Sequence, residues 1–199
     1  MAADPHRMIM SLFKISKRIA RRDNLPLGAK HGGRDRLGKA LHVLGLNRGV
    51  EVGVKKGDFS KILCLANPNI ELFCVDSWSS GQGGDQARHD AHYQEAVRSL
   101  SPFNIRIIRK TSLDALADFP EGSLDFVYID ANHSFDQCCP DIIFWSQKVR
   151  SGGLVACHDY FHHINGGVVK AVDAYTHCHH IDPWYVTEEV YPTAFWIKP

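Results

Sequence analysis

From Val50 onward the chain alternates short strand-like runs with helix-length segments, and this alternation limits the possible folds more than any other feature. Val50–Val54 precedes a helical stretch at Phe59–Ala66, and Ile70–Val75 precedes one near Ala87–Leu100. Ile105–Ile108 is followed by Leu113–Phe119, Leu124–Ile129 by Asp136–Val149, and Leu154–Cys157 by Val168–His177. Helices placed between strands return the chain to the same end of a sheet, so the strands run parallel and both faces are covered. The last two runs, Trp184–Val190 and Thr193–Ile197, have Pro192 but no helix between them, which predicts an antiparallel hairpin closing the sheet at its edge.

The region ahead of this alternation has a different character. Met8, Ile9, Leu12, Phe13, Ile15 and Ile19 recur at helical spacing, with Lys14, Lys17, Arg18, Arg21 and Arg22 between or after them, so Met8–Arg22 reads as a basic amphipathic helix. Gly28 to Gly33 reads as a polar linker, which divides the chain into an arm over residues 1–33 and one domain over 34–199, opened by a short helix at Arg36–Leu44. At 199 residues and 44% hydrophobic, the chain is long enough for one sizeable core. Its net charge of +1 hides a split: residues 1–50 carry +8 and residues 51–199 carry −7. A basic arm on an acidic body suits a contact with a sister subunit in a homo-oligomer, or with a membrane surface, and argues against nucleic-acid binding by the body. No apolar run approaches the roughly 18 residues needed to span a bilayer. Six cysteines without a CxxC pair, three of them in apolar runs, fit free thiols in a reducing, cytoplasmic setting.

In an open parallel sheet, ligands bind beyond the carboxyl ends of the strands, so residues at those ends are the candidates for chemistry. They are Glu51 to Gly57, Asp76-Ser77-Trp78, Thr111-Ser112, Asp130 to His133, and His158-Asp159-Tyr160. A dinucleotide fingerprint needs glycines at 51, 53 and 56, but Glu51 and Lys56 stand at two of those places, which weakens a nicotinamide-dependent oxidoreductase reading. What remains is a glycine turn beside a carboxylate, suited to a ligand with a cationic amino group. Asp76, 23 residues after Gly53, stands where an acid can accept bonds from both hydroxyls of a ribose. Trp78 is a candidate for stacking on a base or for packing, and the polar, glycine-rich run after it reads as a lid.

Four segments in order, Val50 to Ser60, Val75 to Trp78, Leu124 to Phe135 and Gly152 to Tyr160, resemble class I S-adenosylmethionine-dependent methyltransferases. Within that class the resemblance is to the small-molecule O-methyltransferase-like group related to cephalosporin hydroxylase-type and macrolide-sugar methyltransferases. It covers roughly residues 36 to 198. The implied fold is α/β, a Rossmann-like doubly wound seven-stranded sheet, mostly parallel with an antiparallel last strand. The implied cofactor residues are Glu51, Gly53, Gly57, Asp76, Ser77, Trp78, Ser112 and Asp130, with Glu51 and Gly53 at the methionine end, Asp76 on the ribose and Ser112 near the adenine. The implied catalytic residues are Asp130 and a general base, His133, acting on a hydroxylated small molecule. Asp130 and Asp159 match positions that bind a divalent metal such as Mg²⁺ or Mn²⁺, and His158 stands where such relatives carry a second acid, so the expected metal set is Asp130, His158 and Asp159. A non-catalytic module binding S-adenosylmethionine or a metal is the competing class.

Overall fold

A computed structural model of the chain describes residues 4–15, 26–29, 32–80, 84–161 and 164–199. One eight-stranded sheet runs through it in the order β1-β7-β8-β6-β5-β2-β3-β4. The strands are β1 (Leu27–Ala29), β2 (Arg48–Val52), β3 (Glu71–Asp76), β4 (Ile105–Arg109), β5 (Leu124–Ile129), β6 (Val149–Cys157), β7 (Trp184–Thr187) and β8 (Ala194–Ile197). Only the pairings of β8 with β6 and β7 are antiparallel. The Rossmann-like doubly wound sheet is therefore as expected, including its antiparallel last strand.

Two details differ from the sequence reading. The sheet has eight strands instead of seven, because Leu27–Ala29, expected to begin a linker, pairs in parallel with Tyr185–Thr187 and buries Leu27 and Ala29. A three-residue strand with a central glycine offers almost no periodic signal. The closing hairpin is also not at the edge, since β8 inserts between β6 and β7 and β1 lies outside them. Its first strand stops at Thr187, and Val190 is 82% exposed in the connection.

Period-2 alternation divides the inner strands between two cores. Val50 and Val52 of β2, Phe73 and Val75 of β3, and Val127 and Ile129 of β5 face one side. There they pack under α5 (Ser112–Ala115), α6 (Phe135–Lys148) and α7 (Gly167–Cys178). Leu72, Cys74, Phe126 and Tyr128 face the other side, under α1 (Pro5–Leu12), α2 (Asp35–Val43), α3 (Asp58–Ala66) and α4 (Gln86–Leu100). Glu51 lies between Val50 and Val52, so the same alternation turns a carboxyl toward the second side, against α3.

The arm helix is shorter than its apolar pattern suggests. Asp4 caps it by accepting from the His6 N–H at 3.0 Å, and it ends at Leu12, with Lys14 in the left-handed region at φ 50°. The continuation expected through Ile19 to Arg22 lies outside the described residues. Ile9 and Phe13 are buried in the domain's own core, and Phe13 meets Phe195 at 5.3 Å between ring centroids. The described part of the arm is thus packed on its own domain.

Candidate active site

The sheet's hydrogen-bond ladder assembles the site. Beyond the last residues of β2 and β5, the Gly53 N–H donates to Val75 O at 2.8 Å and the Asp130 N–H to Val52 O at 2.7 Å. The His158 N–H donates to Ile129 O at 2.9 Å, so Gly53, Asp130 and His158 lie side by side at three neighbouring strand ends. Gly53 has φ 90°, and a Cβ there would stand 2.1 Å from the Asp130 carbonyl oxygen. Only glycine fits a turn this close to the next strand. Gly57, at φ 84° ahead of α3, is packed against Leu100 and lines neither of the two cavities described below.

Two carboxylates and two imidazoles converge beyond β5 and β6. His133 Nε2 lies 3.0 Å from Asp159 Oδ2 and 3.6 Å from Asp130 Oδ1, and His158 Nδ1 lies 3.3 Å from an oxygen of each aspartate. Asp159 is a non-glycine residue at φ 58°, a strained conformation of the kind that concentrates at functional sites. Burial by itself lowers the His158 pKa, but bonds and charge from Asp130 and Asp159 outweigh it and push the imidazole up to about 9. His133 is raised as well, chiefly by its bond to Asp130. Burial would raise Asp130, yet the two imidazoles and the Arg34 charge hold it below the ordinary carboxylate value.

This cluster opens into a cavity of about 370 Å³ that Glu51, Gly53 and Arg34 also line. Glu51 is 2% exposed and accepts a hydrogen bond from the Ser60 hydroxyl. Burial pushes its carboxyl up to about 8, with the charge of Asp130 adding to the effect. A buried carboxyl costs free energy to ionise unless a cation approaches it, so an ammonium group is the natural ligand for this position.

A second cavity, of about 500 Å³, adjoins the first through Lys55, which lines both. Asp76 and Trp78 line it. The Asp76 carboxylate accepts from the backbone N–H groups of Val54 and Lys55 through Oδ2, each at 2.9 Å, and from Trp78 through Oδ1 at 2.8 Å. It therefore closes the glycine turn as well as facing the cavity. Trp78 is buried, donates from Nε1 to Lys55 O at 2.7 Å and packs on Tyr93, so packing accounts for most of its ring.

Ser77 and Ser112 line neither cavity. The Ser77 hydroxyl accepts from the Ser79 N–H at 3.3 Å. The Ser112 hydroxyl donates to buried Asp141 and accepts from Trp145 Nε1 at 2.8 Å, which fixes the start of α5. The lid glycines Gly81 and Gly83 lie outside the described residues, whereas Gln86 anchors the described end of that loop by donating from Nε2 to Trp78 O at 2.9 Å.

Arg34, Phe59, Ser60 and Tyr191 complete the surroundings and were not foreseen. Arg34 precedes α2 and carries no motif; its backbone N–H donates to Glu189 Oε1 at 2.8 Å, across 155 residues of sequence. Ser60 was legible in principle, since an apolar strand with a central acid implies a polar partner on the helix that covers it.

Comparison with known proteins identifies the family and the fold. Residues 50–160 match the family described as a methyltransferase domain. Over 129 residues the chain is 30% identical to an uncharacterised protein, y4gI, of Sinorhizobium fredii, a match covering 60% of this chain and 14% of that protein's length. Among solved structures, it is similar to the O-methyltransferase TomG of Streptomyces achromogenes in complex with S-adenosylmethionine, with TM-score 0.63 at 16% identity over 83% of this chain and 79% of that one. It is also similar to the Bacillus cereus O-methyltransferase in complex with S-adenosylhomocysteine, with TM-score 0.62 at 12% identity over 98% of this chain and 90% of that one. At such identities the likeness establishes a shared fold.

Proposed function

The chain belongs to the methyltransferase-domain family, and from that premise we propose that it moves a methyl group from S-adenosylmethionine to a hydroxyl of a small molecule, with sugars or glycosylated metabolites as the first acceptor class. The observation that carries this reading is that His133 and the two aspartates share one cavity with Glu51 and Gly53. A proton acceptor thus stands beside the candidate pocket for the donor's methionine end. The chain's own groups fit the cofactor: a buried acid for its ammonium at Glu51, and Asp76 for its ribose hydroxyls. When bound, S-adenosylmethionine supplies an electrophilic methyl on a positively charged sulfur.

The residues then have simple duties. His133, with its Nε2 3.0 Å from Asp159, takes the proton of the acceptor hydroxyl. Asp130 stabilises the imidazolium that results. The close-packed strand ends fix these groups on a rigid frame, which supplies the orientation that in-line transfer needs.

The same residues fit a divalent ion, in a set that differs from the expected one. Asp130, His133 and Asp159 each offer a ligand atom, and these atoms lie within 4.8 Å of one another. They would hold Mg²⁺ or Mn²⁺, whose Lewis acidity lowers the pKa of an acceptor hydroxyl. Ligand and base are exclusive duties for His133, so chelation separates them. The test is a methyl-transfer assay over a panel of hydroxylated compounds, before and after EDTA and with Mg²⁺, Mn²⁺ and Zn²⁺ added back singly. Transfer that survives EDTA assigns His133 as the base, and transfer restored by one ion assigns it as a ligand. A protein that binds S-adenosylmethionine but methylates nothing in the panel contradicts the enzymatic reading and supports a binding module.

A further inference from the structure

The cavity that holds His133, Asp130 and Asp159 has an apolar side as well as a charged one. Tyr191, from the connection between β7 and β8, lines it and is 56% exposed. The Tyr191 ring meets that of Phe161, two residues past Asp159, edge to face at 5.5 Å between centroids. Val190, beside Tyr191 in the chain, is 82% exposed. These side chains are not carried outward by a frayed loop, because the connection is pinned on both sides of them. The Thr187 N–H donates to Thr193 O at 3.0 Å and the Thr193 N–H to the Thr187 hydroxyl at 2.8 Å. Glu189 accepts from the Thr187 hydroxyl at 2.7 Å and from the Arg34 N–H at 2.8 Å. On the far side the Tyr160 N–H donates to Pro192 O at 2.8 Å, which ties this connection to the one that carries Phe161. Two adjoining aromatic rings are thus held at the mouth of a cavity that also carries two carboxylates and two imidazoles. Binding sites that combine apolar walls with a few convergent polar groups take ligands of the same mixed character.

We propose that Tyr191 and Phe161 select the acceptor by covering an apolar group, an aryl or alkyl substituent, that it carries next to the hydroxylated part facing His133. This rests on the methyl-transfer reading and narrows the acceptor to a molecule polar at one end and apolar at the other. A free sugar, hydroxylated on every side, leaves the two rings wet and gains nothing from them. A hydrocarbon group laid on them gains up to about fourfold in affinity for each methylene it buries there. Because hydrogen bonds already fix the connection, little of that gain is lost to ordering the loop. The competing occupant of the two rings is a second copy of this chain.

The experiment titrates the full chain, saturated with S-adenosylhomocysteine, with three glucosides that share one sugar and differ in its substituent: methyl, hexyl and phenyl β-glucoside. In the wild type the hexyl and phenyl compounds are expected to bind at least about tenfold more tightly than the methyl compound. Tyr191→Ala should reduce that preference to below about threefold and leave S-adenosylhomocysteine within about twofold, whereas Tyr191→Phe, which keeps the ring, should preserve the preference. Sedimentation of wild type and Tyr191→Ala is measured alongside. Equal binding of the three glucosides, no binding of any of them, or a preference that survives Tyr191→Ala overturns the assignment and leaves the cofactor reading standing. An assembly that falls apart in Tyr191→Ala, with no preference in the wild type, overturns it in favour of a subunit interface. Failure of the wild type to bind S-adenosylhomocysteine overturns the cofactor reading itself.

Discussion

At the scale of single residues, the buried Glu51 carboxyl and the His158 imidazole make the site's electrostatics measurable. Both are raised in the folded protein, to about 8 and about 9. A group raised on folding contributes stability that is complete below its unfolded pKa and is lost as pH rises through its folded one. Glu51 therefore contributes fully below about pH 4.5 and His158 below about pH 6.5, the ordinary values of such groups, and both contributions are gone above about pH 9. The ligand-free protein is expected to melt roughly 5 °C lower at pH 9 than at pH 6, and Glu51→Gln should flatten the fall. A melting temperature that holds or climbs across this range contradicts the assignment. For the reaction, His133 must be neutral to act as base, so kcat should rise with pH through its raised pKa and then level off. Asp76 closes the glycine turn and, on the proposed reading, also binds the ribose: Asp76→Ala should then weaken S-adenosylmethionine at least about tenfold by calorimetry and also lower the melting temperature, because the Val54 and Lys55 N–H groups lose their acceptor.

At the scale of elements, the glycine turn and the arm helix show where a local pattern carries information and where it does not. On sequence alone, a side chain at Gly53 should intrude on the cofactor. The structure places the Asp130 backbone in that space, so Gly53→Val is expected to force the ends of β2 and β5 apart, and loss of folded protein should accompany loss of binding. Circular dichroism and thermal melting separate the two effects. The arm is similar: Phe13 is fully buried, and Phe13→Ala should cost about 3–5 kcal/mol by denaturant titration. A change below about 1 kcal/mol would mean the helix is not docked in solution. The inner strands were legible because apolar residues must alternate or run continuously wherever both faces are covered. β1 was not, because three residues that acquire their partner only from β7 carry no period of their own, and the arm helix was overdrawn because apolar spacing does not reveal the left-handed Lys14 that ends it.

At the scale of the whole molecule, the acidic strand ends are brought side by side because the crossover order places β5 beside both β2 and β6. The positions of Asp76, Asp130, His133 and Asp159 at neighbouring strand ends could be read in advance, since sheet topology dictates where strand ends meet, whatever loops follow. Arg34 could not, because it is delivered by a contact with Glu189 that no local pattern records. Ser112 is alike: its proximity to a strand end is visible in sequence, but its hydrogen bonds with Asp141 and Trp145 of α6 are not. The central claim is that the two adjoining cavities form one S-adenosylmethionine site. The most direct measurement is a calorimetric titration of the purified protein with S-adenosylmethionine, run beside NAD and repeated with Asp76→Ala. The expected result is one S-adenosylmethionine per chain with micromolar affinity, at least about tenfold weaker in the variant, and no heat with NAD. Absence of binding at millimolar S-adenosylmethionine, or an affinity unchanged in Asp76→Ala, would contradict it.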